Sequence, residues 1–412
     1  MPPAERRTAP RIAVTGYGAV SGYGVGAATL WRGLASGQSA IRPVERFDVA
    51  RYRTKFAAEV PEPPGAGWSR RLSLADRFAL AATEEALAQS GQPARFDGAD
   101  APFAGLYFGS STGGMLESET IFAGLLAHPE AAAGSRRLAQ LAAQPTSGPA
   151  EAVARAFRLA GPVETIASAC ASATLAFGNA LDALRSGEVE VALVGGSDSF
   201  CRLTFAGFNS LRAVDALPCR PFRAEREGMT IGEGAAVLVL EPEERARRRG
   251  AEILGYVRGA GASCDAHHMT APDPSGAGIR RAVTAALVDA GVDRDEIDFV
   301  NAHGTGTPHN DEAEAAMLRA IFGARLATVP VTSSKGALGH LLGSAGAIEA
   351  LATLLCLAQR RIHPTPGGGS ADPRFGVDLV VGSCRAADDA RFALSTNLAF
   401  GGANAAVVLE RA

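Results

Sequence analysis

The 412-residue chain is 47% hydrophobic and 20% charged, too apolar for a disordered protein and long enough for two packed domains or one duplicated fold. Lys and Arg number 40 against 43 Asp and Glu, a net charge of −3, which excludes a global electrostatic drive onto nucleic acid or an anionic bilayer. No window reads as the roughly 18 to 20 uninterrupted apolar residues of a membrane span, and the opening MPPAERRTAPRIAVTG lacks a signal-peptide core, so a cytoplasmic protein is expected.

In chain order, apolar strand-like runs fall at 11–15 (RIAVT), 105–108 (GLYF), 189–194 (VEVALV), 235–240 (AAVLVL), 297–300 (IDFV) and 405–409 (AAVVL). Helical runs at 72–89, 171–185, 278–290 and 345–359 lie between them, the second ended by Ser186-Gly187 and the third by Gly291. This alternation, with glycines at the ends of apolar runs, predicts an α/β protein.

The chain also repeats itself. EGAAVLVLE ends at Glu241 and GANAAVVLE at Glu410, an offset of 410 − 241 = 169; Pro162-Val163 and Pro330-Val331 are offset by 168, as are Gly178 and Gly346. Two similar α/β halves follow, 1–250 and 251–412, and a site between them would draw residues from both.

Reactive side chains concentrate in turns after apolar runs: TIASACASA (165–173), NAHGTGT (301–307), SSKGALGH (333–340) and NLAFGGAN (397–404). Cys170 immediately precedes a helical run, where unpaired amides and the helix dipole favour a thiolate. Taken alone, such a cysteine would be a packed core residue. His303, with Thr305 and Thr307, lies in H-G-T-G-T; Lys335, one of only two lysines, precedes His340 by five residues. Phe400, flanked by Ala399 and Gly401-Gly402, reads as a core aromatic or as a gate whose N–H serves an oxyanion.

Together, Cys170 in its small-residue turn, H-G-T-G-T, the Lys335 to His340 run and the closing F-G-G-x-N resemble the β-ketoacyl-acyl-carrier-protein synthases. VTGYGAV, GEGAAVLVLE and DAHHMT (265–270) are similar to the elongating type II members. The resemblance implies a thiolase-like fold of two related halves in αβαβα layers. It implies a decarboxylative condensation: Cys170 takes an acyl group from a carrier-protein pantetheine thioester, then receives the carbanion of malonyl thioester. The amides of Cys170 and Phe400 would hold the tetrahedral oxyanion, His303 and His340 would donate to the enolate, and Lys335, with Glu349 as charge partner, would fix the histidines. Thr305 and Thr307 would bind the pantetheine arm; His268 and Thr270 would line the pocket, with His267 facing solvent. Two later histidines, rather than His and Asn, imply elongation, and Cys170 separates the chain from the chain-length factors that lack the nucleophile. Acyl carrier protein is the implied partner, and the implied assembly is a homodimer or a heterodimer with a chain-length-factor-like subunit. Substrates would arrive on the carrier's phosphopantetheine, with no further cofactor.

Two departures bear on the substrate. Leu398 and Ala399 replace the Phe-Gly of the family gate G-F-G-F-G-G, and Ala399 has less backbone freedom than glycine. Thr112, in GSSTGG (109–114), takes the place of an apolar acyl-pocket residue; an unpaired hydroxyl there would suit an unsaturated or keto-bearing chain, as in polyene or aromatic polyketide pathways. Arg70 and Arg71, in WSRR, form the candidate basic contact for the acidic carrier protein, or a solvated helix start.

Other readings are weaker. GYGAVSGYGVG (16–26) places Ser21 where a dinucleotide fingerprint needs glycine. The six dispersed cysteines contain no C-x-x-C and the seven histidines no H-E-x-x-H, so neither disulfides nor a metal are expected. A thiolase would need a second catalytic cysteine, for which Cys384 is the late candidate, and a non-catalytic partner subunit would not need Cys170, His303 and His340.

Overall fold

The computed structural model describes residues 10–64, 71–128 and 145–412. Ten strands form the frame: β1 (Ile12–Ser21), β2 (Ala104–Gly109), β3 (Val163–Ile166), β4 (Val191–Asp198) and β5 (Gly234–Pro242), then β6 (Gly255–Cys264), β7 (Ile297–Asn301), β8 (Pro330–Thr332), β9 (Phe392–Leu398) and β10 (Ala403–Glu410). The first five are ordered β3-β2-β4-β5-β1 and the second five β8-β7-β9-β10-β6. Strand directions repeat as well. The first three in each set run parallel, and the remaining two pairings are antiparallel. A short antiparallel pairing of β1 with β6, Ile12 opposite Val257, joins the two sets into one sheet system.

Helices fill the layers. Helix α1 (Leu74–Ser90) covers the outer face of the first set, and α3 (Ala277–Ala290) covers the second. Between the sets lie α2 (Ser172–Ser186) and α5 (Ala345–Gln359), packed on each other and on strands of both. Helix α4 (Pro308–Phe322) packs beside α3. The result is the αβαβα layering that the resemblance implies.

Local chemistry sets these elements. Helix α1 begins in a capping box between Ser73 and Asp76, and α2 and α3 stop at Gly187 and Gly291 in left-handed conformation. Strand β1 runs through Gly16-Tyr17-Gly18, beyond its expected end, because those glycines serve close packing. A Cβ on Gly16 or Gly18 would come within 2.1 Å of a carbonyl oxygen of α1, Ala86 or Ala82. In the second half, Gly261 of β6 stands equally close to Ala282 of α3, at 2.1 Å. The GYG run is thus a helix-packing surface.

Two expectations need correction. Residues 342–359 are long and apolar enough to cross a membrane by length and composition, although no such window was expected; 89% of that stretch is buried inside the protein as its central helix. Gly178 and Gly346 are also not structural equivalents. Helices α2 and α5, each 15 residues long, correspond with an offset of 345 − 172 = 173. Gly346 instead lets the two helices cross, since a Cβ there would lie 1.9 Å from the Thr174 hydroxyl. Insertions between repeats shift the offset from element to element, so a shared spacing of isolated glycines misleads.

Candidate active site

The turns that follow β3, β7 and β8, together with the β9–β10 turn, converge on a cavity of about 450 Å³. Its wall includes Cys170, His303, His340 and Phe400, so both halves contribute.

Cys170 sits in a one-turn 3-10 segment, Ala169–Ala171, ahead of α2. Ala169 has φ of 46°, a left-handed strain that turns the chain sharply at Cys170. Cys170 is 8% exposed. Its thiol is pushed up to about 11, first by burial; Lys335 and the backbone N–H of Phe400 oppose the shift, Glu349 adds to it, and the N–H of Cys170 opposes it. The expected thiolate at the helix start is therefore not the resting form, because desolvation outweighs the helix amides. The contacts that oppose the shift place two N–H donors beside Sγ, the arrangement an oxyanion hole requires.

His303 stands in a turn that only glycine permits. Gly304 and Gly306 have φ of 38° and 79°, and a Cβ on Gly304 would lie 2.7 Å from Ser333. The buried carboxylate of Glu314, on α4, accepts from the His303 and Gly304 N–H groups at 2.7 Å each and from the Thr396 hydroxyl at 2.8 Å. Burial pushes Glu314 up to about 7.

The two imidazoles pack edge to face, ring centres 5.3 Å apart. Lys335 Nζ approaches His303 Nδ1 at 3.0 Å and is salt-bridged to Glu349, with both charged side chains nearly fully buried. The Leu342 N–H donates to His340 Nδ1 at 2.9 Å. Donors on each Nδ1 assign the proton to Nε2. Burial first, then the Lys335 charge, hold both histidines well below the ordinary imidazole range, so they are neutral donors at neutral pH. One donor atom each from Cys170, His303 and His340 lie within 4.8 Å of one another, a compact cluster invisible in the linear motifs. An Nε2 that carries a proton has no lone pair for a metal, and the cluster is instead built to donate hydrogen bonds beside a thiol.

Thr305 and Thr307 line the cavity, their hydroxyls 2.8 Å apart. His268 and Thr270 also line it, the Thr270 N–H donating to His268 Nδ1 at 3.1 Å, while His267 is exposed. Phe400 is 36% exposed, its ring 5.9 Å from that of Phe208, and Gly401 and Gly402 carry the positive φ of the turn. Ala399 is not among the positive-φ residues, so alanine is unstrained in this turn.

Three of the described residues stand apart from the cavity, and a fourth expected residue lies outside the described ones. Thr112 is absent from the cavity wall, and its hydroxyl donates to the Asp198 carboxylate at 2.8 Å. The unpaired hydroxyl from which an unusual acyl chain was inferred does not exist. Arg70 lies outside the described residues, and Arg71 is exposed at the approach to α1. Cys384 contacts the Ala35 carbonyl away from the cavity, leaving Cys170 as the one cysteine among the cavity-lining residues.

Three buried residues went unnoticed in the sequence. Glu314 is eleven residues past His303 on an acidic helix face, where its charge looks solvated. Asn397 immediately precedes Leu398 of the gate. Asp198 gathers five donors: the Ser110 and Thr112 hydroxyls and the N–H groups of Ser111, Thr112 and Gly343. Only the folded chain brings their partners within reach.

Comparison with known proteins supplies relatives. The family model described as "Beta-ketoacyl synthase, N-terminal domain" matches residues 9–246, and that of the C-terminal domain matches residues 254–368. The 3-oxoacyl-[acyl-carrier-protein] synthase 2 of Synechocystis is 32% identical, over 97% of this chain and 98% of its own. The solved ishigamide ketosynthase/chain length factor superposes with a TM-score of 0.92 at 35% identity, covering 98% of this chain and 100% of its own. A type II PKS acyl-carrier protein in complex with its ketosynthase bound to the hexaketide gives a TM-score of 0.87 at 26% identity, with the same coverage.

Proposed function

The chain belongs to the β-ketoacyl synthase family, and from that premise we propose that it elongates a carrier-bound acyl chain by decarboxylative condensation, with Cys170 as nucleophile. The observation that carries this reading is the convergence of two Nε2–H imidazoles and two backbone N–H groups on one buried thiol.

In the first step the Cys170 sulfur attacks the acyl thioester. The carbon–sulfur bond to the carrier's pantetheine breaks, and the proton of the Cys170 thiol ends on the departing pantetheine thiol. No net proton is consumed, so a resting thiol raised to about 11 is compatible with the exchange. The Cys170 and Phe400 N–H groups face the tetrahedral oxyanion.

In the second step malonyl thioester loses CO2, and negative charge develops on its thioester oxygen. His303 and His340 donate their Nε2–H bonds to that oxygen; being neutral, they stabilise the charge without surrendering a proton. Lys335 and Glu349 hold His303 from behind. The carbanion carbon bonds to the acyl carbon, the bond to Cys170 sulfur breaks, and the thiolate takes up one proton. The product is β-ketoacyl thioester on the carrier. Thr305 and Thr307 are suited to the pantetheine amides, and His268 and Thr270 to the cavity mouth.

The substrates reside on acyl carrier protein, with Arg70 and Arg71 as the basic contact, and no further cofactor is invoked. The two halves, 1–250 and 251–412, act as the two units. A second ketosynthase-like chain, identical or chain-length-factor-like, pairs with this one. Strand β3 ends the sheet with an exposed Val163, and Phe122, Leu126 and Leu203 are exposed apolar residues suited to cover by that chain. The buried central helix agrees with a cytoplasmic enzyme.

Intact-mass measurement after incubation with acyl carrier proteins bearing saturated, polyenoyl and aryl-enoyl primers tests the reading. Wild type should gain the acyl mass, Cys170→Ala should not, and the preferred primer names the fatty acid, polyene or polyketide branch. Acylation that persists in Cys170→Ala overturns the assignment.

A further inference from the structure

Asn397, the next-to-last residue of β9, is fully buried, and its carboxamide contacts three parts of the site. Nδ2 donates to Glu349 Oε2 at 2.8 Å and approaches His303 Nδ1 at 3.1 Å. Oδ1 accepts from the hydroxyl of Thr174, one turn along α2 from Cys170. Glu349 can only accept when ionised, which fixes the amide with its NH2 towards Glu349 and His303 and its oxygen towards Thr174.

The consequence lies in the tautomer of His303. A buried imidazole beside a carboxylate ordinarily turns an N–H towards it. Here the Asn397 amide stands between Glu349 and Nδ1 and presents donors to both. Lys335 also reaches Nδ1, but on a flexible stem and shared with Glu349. The planar amide, pinned at both ends, has no such freedom.

We propose that Asn397 is a positioning residue for decarboxylation: it screens His303 Nδ1 from Glu349, keeps the His303 proton on Nε2 facing the substrate, and couples that setting through Thr174 to the helix that follows Cys170. The proposal rests on the reading of His303 as donor to the malonyl thioester. The charged or titratable groups around His303 are Lys335, Glu349, His340, the Cys170 thiol, and Glu314 against its backbone.

Asn397→Asp keeps the volume and the Thr174 contact but turns the donors into an acceptor. Histidine-labelled ¹⁵N NMR of the unliganded protein should show an unprotonated Nδ1 on His303 in wild type and a protonated one in the variant. CO2 release from malonyl carrier protein at pH 7 should fall about 100-fold, the scale of losing one oxyanion donor. Cys170 loading should stay within about threefold, because the Cys170 and Phe400 amides are untouched. The added negative charge should move the acid limb of the decarboxylation profile to higher pH, since it favours the imidazolium. Asn397→Ser retains one donor; it should keep the wild-type tautomer and recover decarboxylation to within about tenfold.

Loading and decarboxylation falling by one common factor, with the tautomer unchanged, would reduce Asn397 to a packing residue and overturn the proposal. If the Asn397→Asp chain fails to fold, Asn397→Ser decides, because decarboxylation lost there with the tautomer intact is equally fatal. Failure of wild type to load any primer would instead strike the reaction assignment, while the resonance of the unliganded protein still judges the tautomer.

Discussion

The turns after β3 and β8 occupy equivalent places in the two halves, each leading into a central 15-residue helix, yet they present different chemical groups. The first presents a thiol between small residues. The second presents Lys335 and His340, with Glu349 on the helix beyond. Their supporting carboxylates differ too. Asp198 of the first half spends its bonds on neutral donors that hold turns 110–112 and 343 in place, whereas Glu349 of the second neutralises a buried ammonium and accepts from an amide beside a histidine. One scaffold occurs twice, and on the proposed reading the residues at its strand ends divide attack from charge stabilisation.

The sharpest test of that division is kinetic. His303→Ala should leave Cys170 loading within about tenfold but reduce malonyl decarboxylation about 100- to 1,000-fold, the range seen for oxyanion donors; intact mass follows the first and CO2 release the second. Equal losses would mean that the halves share both steps.

Stability offers the next test. Glu349→Ala strands Lys335 as an unpaired buried charge and should cost about 3–5 kcal/mol in denaturant unfolding. Asp198→Ala leaves neutral donors without an acceptor, some of which can turn to water or to each other, and should cost about 2–3 kcal/mol. The reverse order would show that the first half, not the second, carries the heavier electrostatic load.

The last test concerns pH. Burial raises Glu314 to about 7 from an ordinary 4.5, so the unfolded chain releases this proton at lower pH than the folded one. Stability from this group is therefore lost as pH climbs from about 4.5 through 7 and does not return above it. Glu314→Gln should flatten that part of the curve of Tm against pH. A slope unchanged by the substitution would move its origin to Asp311 or Asp76, each raised to about 6.

Much of this was legible before folding. Apolar periodicity picked out six of the ten frame strands and four helices, most ends within a few residues, because burial on one face demands that spacing. Clustered glycines marked the turns that carry His303 and Phe400, and a run of Ala and Ser marked the turn that carries Cys170. The misplaced features share a cause: Thr112 looked like an acyl-pocket hydroxyl because its acceptor, Asp198, lies 86 residues away. GYG looks like part of a glycine fingerprint until α1 is laid against it.

The sequence by itself determined the α/β class, the repeat, the reactive residue types and the family they resemble, since these depend on local pattern and composition. Tertiary structure decided the ionisation states and the hydrogen-bond directions. Cys170 rests as a thiol, His303 and His340 carry their protons on Nε2, and Asn397 stands between a carboxylate and an imidazole. Desolvation and hydrogen-bond partners fix a proton's place, and both are set by residues distant in the chain.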